Sequence, residues 1–153
     1  MPLVERWRGE AHVAPWWREP IEEAIEKRWG GIEGRRPTRQ FAILADGRPV
    51  GMIQTYLVDD HPEWAELVQV GPHTAGVDLL IGEPDLVGRG LGAQVLADFA
   101  REVVFADPGV LAVVATVEEP NCRSWRAFEK AGFRHVRDVE EDGLPHRLMR
   151  LDR

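Results

Sequence analysis

Residues 77–93 constrain this chain more than any other stretch. An apolar run, Val77-Asp78-Leu79-Leu80-Ile81-Gly82, is followed by Val87-Gly88-Arg89-Gly90-Leu91-Gly92, and then by a helical pattern starting near Ala93. That order predicts a strand, a glycine-rich turn and a helix in succession. The glycines remove Cβ atoms from the turn, so the backbone can approach a ligand closely and aim N–H groups at it. The helix adds its unpaired first-turn N–H groups and the positive end of its dipole. The product is a binding site for a phosphate or pyrophosphate.

The flanking sequence places this unit in a mixed sheet. Residues 2–9 read as a short helix with Leu3, Val4 and Trp7 on one face, followed by Trp16 and Trp17 in a Pro-flanked segment. A second helix is predicted over 20–29, opened by Pro20, and Gly30-Gly31 begins a basic loop that runs to Arg39. Apolar residues 41–45 and 50–57 flank Asp46-Gly47, the signature of a hairpin. Residues 59–75 read as irregular, with a helical turn around 63–68. Val95, Leu96, Phe99, Val103 and Val104 mark one side of a helix over 92–105, ended by Asp107-Pro108-Gly109. Residues 110–116 form a buried strand. Asn121 is placed to N-cap a helix to Ala131, closed by Gly132. A final strand pair, 133–139 and 144–151, turns at Glu141-Asp142-Gly143. The whole is an α/β (α+β) fold with helices on both faces of the sheet.

Size and charge narrow the function. At 153 residues the chain reads as one domain, 1–153, able to bury a sizeable core. A net charge of −7 argues against a nucleic-acid partner and suits a cationic one, although solubility alone accounts for a mildly acidic balance. The one cysteine, Cys122, excludes an intrachain disulfide and a cysteine-based zinc site, and is expected to be a small buried residue. The five histidines lack metal-ligand spacing, so no metal is expected. No run is long enough for a membrane span, and the N-terminus lacks signal-peptide features, which predicts a cytoplasmic protein without membrane partners.

Two motifs resemble the GCN5-related N-acetyltransferase (GNAT) superfamily. The first is the loop Val87-Gly88-Arg89-Gly90-Leu91-Gly92, similar to that superfamily's [Gln/Arg]-x-x-Gly-x-[Gly/Ala] acetyl-CoA loop, with Val87 in place of the leading Gln or Arg. The second runs from Asn121 to Phe133 and resembles the superfamily's Asn-x-x-Ala-x-x-x-Tyr-x-x-x-Gly-Phe helix, with Phe128 where tyrosine is usual. The segments around His12–Trp17, Gln54–Tyr56, Asp78–Gly82 and Phe105–Pro108 look like the aminoglycoside 6'-N-acetyltransferases. The lysine-side-chain acyltransferases of siderophore biosynthesis share the loop but typically carry histidine at the position of Asp78. The resemblance implies the GNAT fold, a mixed, mostly antiparallel sheet. It also implies a first strand that is missing here, or a recorded start that is late.

The resemblance further implies acetyl-CoA as cosubstrate, held by Leu80, Ile81, Val87, Gly88, Arg89, Gly90, Leu91, Gly92, Ala93, Asn121, Ser124 and Phe128. A backbone N–H in the stretch Leu79–Ile81 would hold the thioester carbonyl. Asp78 is the candidate catalytic base or amine anchor, because a carboxylate in an apolar strand is costly unless it meets a cation or hydrogen-bond donors; its alternative is a structural pairing with an arginine. Phe128 cannot donate a proton, so it either packs against the pantetheine arm or belongs to the core. Trp16, Trp17, Gln54, Tyr56, Asp60, Asp78 and Glu118 are the candidate acceptor residues, Trp64 being a further aromatic wall. The acidic run Asp59, Asp60, Glu63 and Glu66 either attracts a polycation or is solvated surface. Where related enzymes carry an aspartate at the end of the fifth strand, this chain has Thr116, followed by Glu118 and Glu119. The implied reaction is direct acetyl transfer to the 6'-amine of an aminoglycoside by a monomer or homodimer. Two alternatives stay open: another amine acceptor, such as a siderophore lysine side chain or a polyamine, and a non-catalytic CoA-binding module.

Overall fold

Six strands form one sheet. The computed structural model describes residues 2–19 and 38–153. The helix expected over 20–29, Trp29 and the loop at Gly30-Gly31 lie outside the described residues. Arg39–Ala45 (β1) and Arg48–Leu57 (β2) make the expected hairpin. Asp46 and Gly47 both take left-handed angles, which suits the right-handed twist of the strands they join. Thr74–Ile81 is β3, Ala112–Glu118 is β4, and Arg134–Glu141 and Leu144–Asp152 are β5 and β6. The order across the sheet is β1-β2-β3-β4-β6-β5, and only β3 and β4 run parallel. Among the described residues no strand precedes Arg39.

Helices cover both faces, as strand alternation requires. Val113 and Met149 belong to one buried cluster; their neighbours Val114 and Leu148 belong to another on the opposite face. The first cluster is closed by helices Leu91–Phe99 (α2) and Cys122–Lys130 (α3), through Leu96, Phe99 and Phe128. The second lies under helix Pro62–Val68, through Val68. A third, smaller cluster seats the N-terminal helix Pro2–Arg8 on β3, with Trp7, Val13 and Leu80 buried together.

Three local differences matter. The stretch read as irregular contains a 3-10 turn at Val58–Asp60 and the helix Pro62–Val68, and β3 begins at Thr74 rather than Val77. The long helix is α-helical only to Phe99; Ala100–Val104 form a π-helical turn, with the Phe105 N–H bonded to the Ala100 carbonyl at 2.8 Å. The last turn centres on Asp142 and Gly143, both left-handed, so Glu141 is the final residue of β5 rather than a turn residue.

The feature that makes a site is the parting of β3 from β4. They pair at three positions only, Thr74↔Ala112, Ala75↔Val113 and Gly76↔Val114. Beyond these, β3 follows β2 as far as Gly51↔Ile81, while β4 follows β6 as far as Glu118↔His146. A wedge opens in the middle of the sheet, floored by backbone that no strand pairs. No helix among the described residues is long and apolar enough to cross a membrane.

Candidate active site

The unpaired edge of β3 can be assigned atom by atom. The Gly82 N–H bonds the Val50 carbonyl of β2 at 2.8 Å. Backbone groups alternate in direction along a strand, so the Leu80 N–H also faces β2, while those of Leu79 and Ile81 face the wedge. The Ile81 carbonyl lies on the same side and accepts a 2.9 Å hydrogen bond from His12 Nε2. Leu80, expected among the cofactor contacts, has its N–H turned to β2 and its side chain buried with Trp7 and Val13, and it lines the smaller of the two cavities that meet here. Leu79 and Ile81 supply the wedge-facing donors.

At one mouth of the wedge lies a cavity of about 460 Å³, lined by Val87, Gly88, Gly90, Leu91, Gly92 and Ala93. Gly88 (φ 78°) and Gly90 (φ 80°) are both left-handed, and a Cβ on either would meet nothing within 4 Å. The turn therefore needs glycine for its backbone angles, and the space over it is not filled by the protein. Gly90 is the N-cap of α2 and makes no side-chain cap, and the first intrahelical bond runs from the Gln94 N–H to the Gly90 carbonyl. The N–H groups of Leu91, Gly92 and Ala93 are free of helix partners and open on the cavity, an anion-binding arrangement. The Arg89 side chain is exposed and is not part of the lining. The cations come from α3 instead: Arg123, Arg126 and Lys130, one helical face at i, i+3 and i+7. The spacing puts them on one face of the helix, but only the fold shows that this face lines the cavity.

The other mouth opens into a cavity of about 830 Å³. Trp16, Trp17, Leu79, Asn121 and Ser124 line both cavities, so the two meet at the wedge. Asn121 occupies the N-cap position of α3, but its side chain makes no capping hydrogen bond. The expected cap is absent, and the amide stands at the junction. Phe128 takes its core reading, being 3% exposed and packed edge-on against Phe133 at 5.0 Å, and it also lines the large cavity. Cys122, expected to be buried, is exposed, because it opens α3 on the solvent side.

Asp78 lies in the wall of this large cavity. Gln54 sits opposite it in the β2–β3 register and donates from Nε2 to Asp78 Oδ2 at 2.8 Å. The Tyr56 hydroxyl donates to the same carboxylate. Burial pushes the Asp78 carboxyl above the ordinary aspartate value, against these two hydrogen bonds, and the nearby charge of Glu141 adds to the rise. Burial and the Asp78 charge likewise push the Tyr56 phenol well above its usual value, so it remains a donor. The Tyr56 ring lies against Gly76, where a Cβ would come within 2.4 Å of Cε2. Trp64 packs edge-on against Tyr56 at 5.7 Å, and Trp16 and Trp17 complete the aromatic wall. No arginine pairs with Asp78 among the described residues.

The acidic residues of the cavity differ from those anticipated. Asp60 is exposed in the Val58–Asp60 turn and lies outside the lining. Of the acidic run only Glu63 reaches it. Glu118 lines the cavity as expected and pairs with Arg18 at 3.0 Å. Glu119 instead turns outward, where Arg147 grips it bidentately at 2.8 Å and stacks on Trp125. The carboxylate that sequence reasoning misses is Glu141. Its Oε1 accepts from Trp64 Nε1 at 2.8 Å and from Thr116 Oγ1 at 3.1 Å. Thr116 thus holds a carboxylate at the place where the resemblance expected one. Seven acids line the cavity (Glu19, Glu63, Asp78, Glu118, Glu140, Glu141, Asp142), and no lysine or arginine does so among the described residues.

A splayed β3–β4 pair, a glycine turn and a helix N-terminus at one mouth, and a half-buried carboxylate at the other, define an acyl-transfer scaffold of the GNAT type. Residues 1–141 match the family model described as an acetyltransferase (GNAT) domain, and the chain belongs to that family. Among curated proteins it is 33% identical over 107 residues to the L-2,4-diaminobutyric acid acetyltransferase of Streptomyces avermitilis, covering 70% of this chain and 54% of that protein. It is 23% identical over 155 residues to the N(6)-hydroxylysine O-acetyltransferase of Escherichia coli, covering 95% and 45%. The chain spans about half the length of the curated relatives it matches. Among solved structures, the aminoglycoside acetyltransferase AAC(6')-Ib in complex with coenzyme A and kanamycin superposes with a TM-score of 0.86 at 24% identity, covering 99% of this chain and 88% of that one.

Proposed function

We propose that residues 1–153 form one acetyltransferase domain that moves the acetyl group of acetyl-CoA directly onto a primary amine of a small polycation, the 6'-amine of an aminoglycoside being the first acceptor to test. The observation that carries this reading is the acidic acceptor cavity, with Asp78 in its wall. An amino acid acceptor such as diaminobutyrate or hydroxylysine brings a carboxylate, which needs a cation; the described lining offers seven acids and no lysine or arginine. A polycation is drawn to such a cavity and partly neutralises it. Solved aminoglycoside acetyltransferases of this fold support the same choice.

Acetyl-CoA supplies the activated acyl group. The chain's own residues do the rest. The N–H groups of Leu91, Gly92 and Ala93, with Arg123, Arg126 and Lys130, bind the diphosphate end. The wedge-facing N–H of Leu79 or Ile81 polarises the acyl carbonyl, a donor aimed where negative charge develops. The Asp78 carboxylate binds the acceptor ammonium and accepts the proton the amine must lose. Its raised pKa makes it a better base than an exposed aspartate. Trp16 and Trp17 cover the junction and orient both partners.

The test is release of free thiol from acetyl-CoA with kanamycin or tobramycin, against diaminobutyrate, hydroxylysine and spermidine. Release with the antibiotics supports the reading. Release confined to the other amines moves the acceptor and keeps the enzyme, and binding of CoA without release for any amine leaves only a CoA-binding module. In the active protein, Asp78→Asn retains acetyl-CoA binding and lowers kcat by about 100-fold or more.

A further inference from the structure

An acid-rich cavity is a poor place for a leaving anion. When the acyl group moves to nitrogen, the C–S bond breaks and its electron pair stays on sulfur. A thiol with a pKa of about 8.5 takes negative charge at that moment. Seven acids line the cavity that receives the acyl group, and like charges disfavour a new anion beside them. A hydrogen-bond donor aimed at the sulfur offsets that cost. Phe128, in the cavity wall, has no proton to give.

The acyl group must lie where the two cavities meet. Five residues line both: Trp16, Trp17, Leu79, Asn121 and Ser124. Leu79 Cδ2 and Ala127 Cβ lie 3.5 Å and 3.7 Å from one point, the place a Cβ on Gly92 would take. The Ala127 turn of α3 therefore stands against Leu79, and Ser124, three residues earlier, shares that face. Leu79 carries one of the two wedge-facing N–H groups, so the Ser124 hydroxyl bounds the same space from the helix side. Ser124 is half-buried and makes no side-chain hydrogen bond among the described residues. The other protic side chains of the junction suit other tasks. The Asn121 amide presents a donor and an acceptor together, which matches an amide of the pantetheine arm. An indole N–H is fixed in the plane of its ring, and Trp17 packs against the Trp7 cluster. A hydroxyl is small and turns its proton to suit.

We infer that Ser124 is a catalytic residue whose Oγ–H donates a hydrogen bond to the sulfur of CoA as the thioester bond breaks. The hydroxyl keeps its own proton, because an alcohol is a far weaker acid than a thiol. The proton lost by the amine goes to Asp78 and from there to water, and the sulfur takes one back from water, so the products are an amide and a free thiol. This inference rests on the acetyltransferase reading above and adds a residue to the same reaction.

The experiment titrates the thiol of bound CoA. With protein in excess, thiolate absorbance is followed against pH, and the complex with desulfo-CoA is the blank that cancels Cys122 and Tyr56. Hydrogen bonds to charged acceptors are strong, so in Ser124→Ala the thiol titrates about one pH unit higher than in wild type. Ser124→Thr keeps the hydroxyl and stays near wild type. In turnover with kanamycin, or with the amine that wild type accepts in the thiol-release assay, Ser124→Ala lowers kcat by about tenfold or more and leaves KM little changed. An unchanged thiol titration in Ser124→Ala overturns the inference, with or without a loss of turnover, and leaves the acetyltransferase reading standing. A wild-type protein that binds no CoA overturns both. Alanine is the better helix former of the two, so the variant keeps α3.

Discussion

Gln54 and Asp78 face each other across β2 and β3, and Gln54 Nε2 donates to Asp78 Oδ2 at 2.8 Å. The amide is itself oriented: Gln40 Nε2, from β1, donates to Gln54 Oε1 at 2.9 Å. A relay across three strands thus fixes which end of Gln54 meets the carboxylate, and the Tyr56 hydroxyl donates beside it.

The first prediction concerns pH. A base must be ionised to accept a proton, so kcat/KM falls as pH drops through the Asp78 pKa. Burial places that pKa above 3.8, so the acid limb lies above the ordinary aspartate range. The Gln54 hydrogen bond favours the ionised form. Gln54→Leu removes it and moves the acid limb to higher pH, measured as a pH profile of kcat/KM with kanamycin. A shift to lower pH, or no acid limb, contradicts the assignment of Asp78 as base.

The same shift bears on stability. Asp78 has a higher pKa folded than unfolded, so the fold favours the protonated form. Any stabilisation from the buried neutral carboxyl is fully present below the unfolded pKa and is lost as pH rises through the folded one; above it the ionised group costs stability. Asp78→Asn is neutral throughout. The variant has a higher Tm than wild type at about pH 8, and that advantage disappears toward about pH 4. Thermal unfolding at both pH values checks this; an equal Tm at about pH 8 means that the carboxylate is adequately solvated.

Gly76 positions Tyr56 by absence. A Cβ there would stand 2.4 Å from Cε2 and 2.7 Å from Cζ of the ring. Gly76→Ala forces the ring away, so Tyr56 loses its hold on Asp78. Overpacking of this kind costs about 1–3 kcal/mol, which for a chain this size lowers Tm by about 2–12 °C. Turnover falls by about tenfold or more while CoA binding, measured by calorimetry, is kept. Retained turnover means that the phenol is dispensable.

Legibility in the sequence divides along the range of the interactions. The strand, glycine turn and helix at 77–99 are local patterns, so Gly88, Gly90 and the α2 N-terminus can be read from the residues alone. Asp78 is legible because an acid in an apolar strand is a local anomaly. Glu141 is not, because its role depends on hairpin register: only when Asp142 and Gly143 take the turn does Glu141 fall at the end of β5, within reach of Thr116 and Trp64. Asp60 is misplaced for the converse reason, since an acid in a loop has no direction until the turn at Val58–Asp60 points it to solvent. Arg89 stands inside the motif, but its side chain leaves the cavity while its backbone neighbours line it. Chain composition carries the acidity of the molecule but not the concentration of seven carboxylates on one cavity.

The last prediction isolates the cofactor mouth from the acceptor mouth. Gly90 adopts φ 80° and N-caps α2, whose first free N–H groups open on the smaller cavity. An added Cβ meets nothing within 4 Å, so the substitution acts through backbone strain alone. Left-handed backbone costs an L-residue about 1–2 kcal/mol. Gly90→Ala either retains the angle at that cost or rotates the peptide and turns the amides of Leu91 and Gly92 off the anion. Where the angle is retained the cost falls on stability and lowers Tm; where the amides turn, the CoA complex is weakened by about tenfold in Kd. Calorimetric titration with CoA measures this directly, and kanamycin binding to the CoA-free protein serves as the control, since the acceptor cavity does not include Gly90. Unchanged CoA affinity together with an unchanged Tm places the diphosphate somewhere other than this turn.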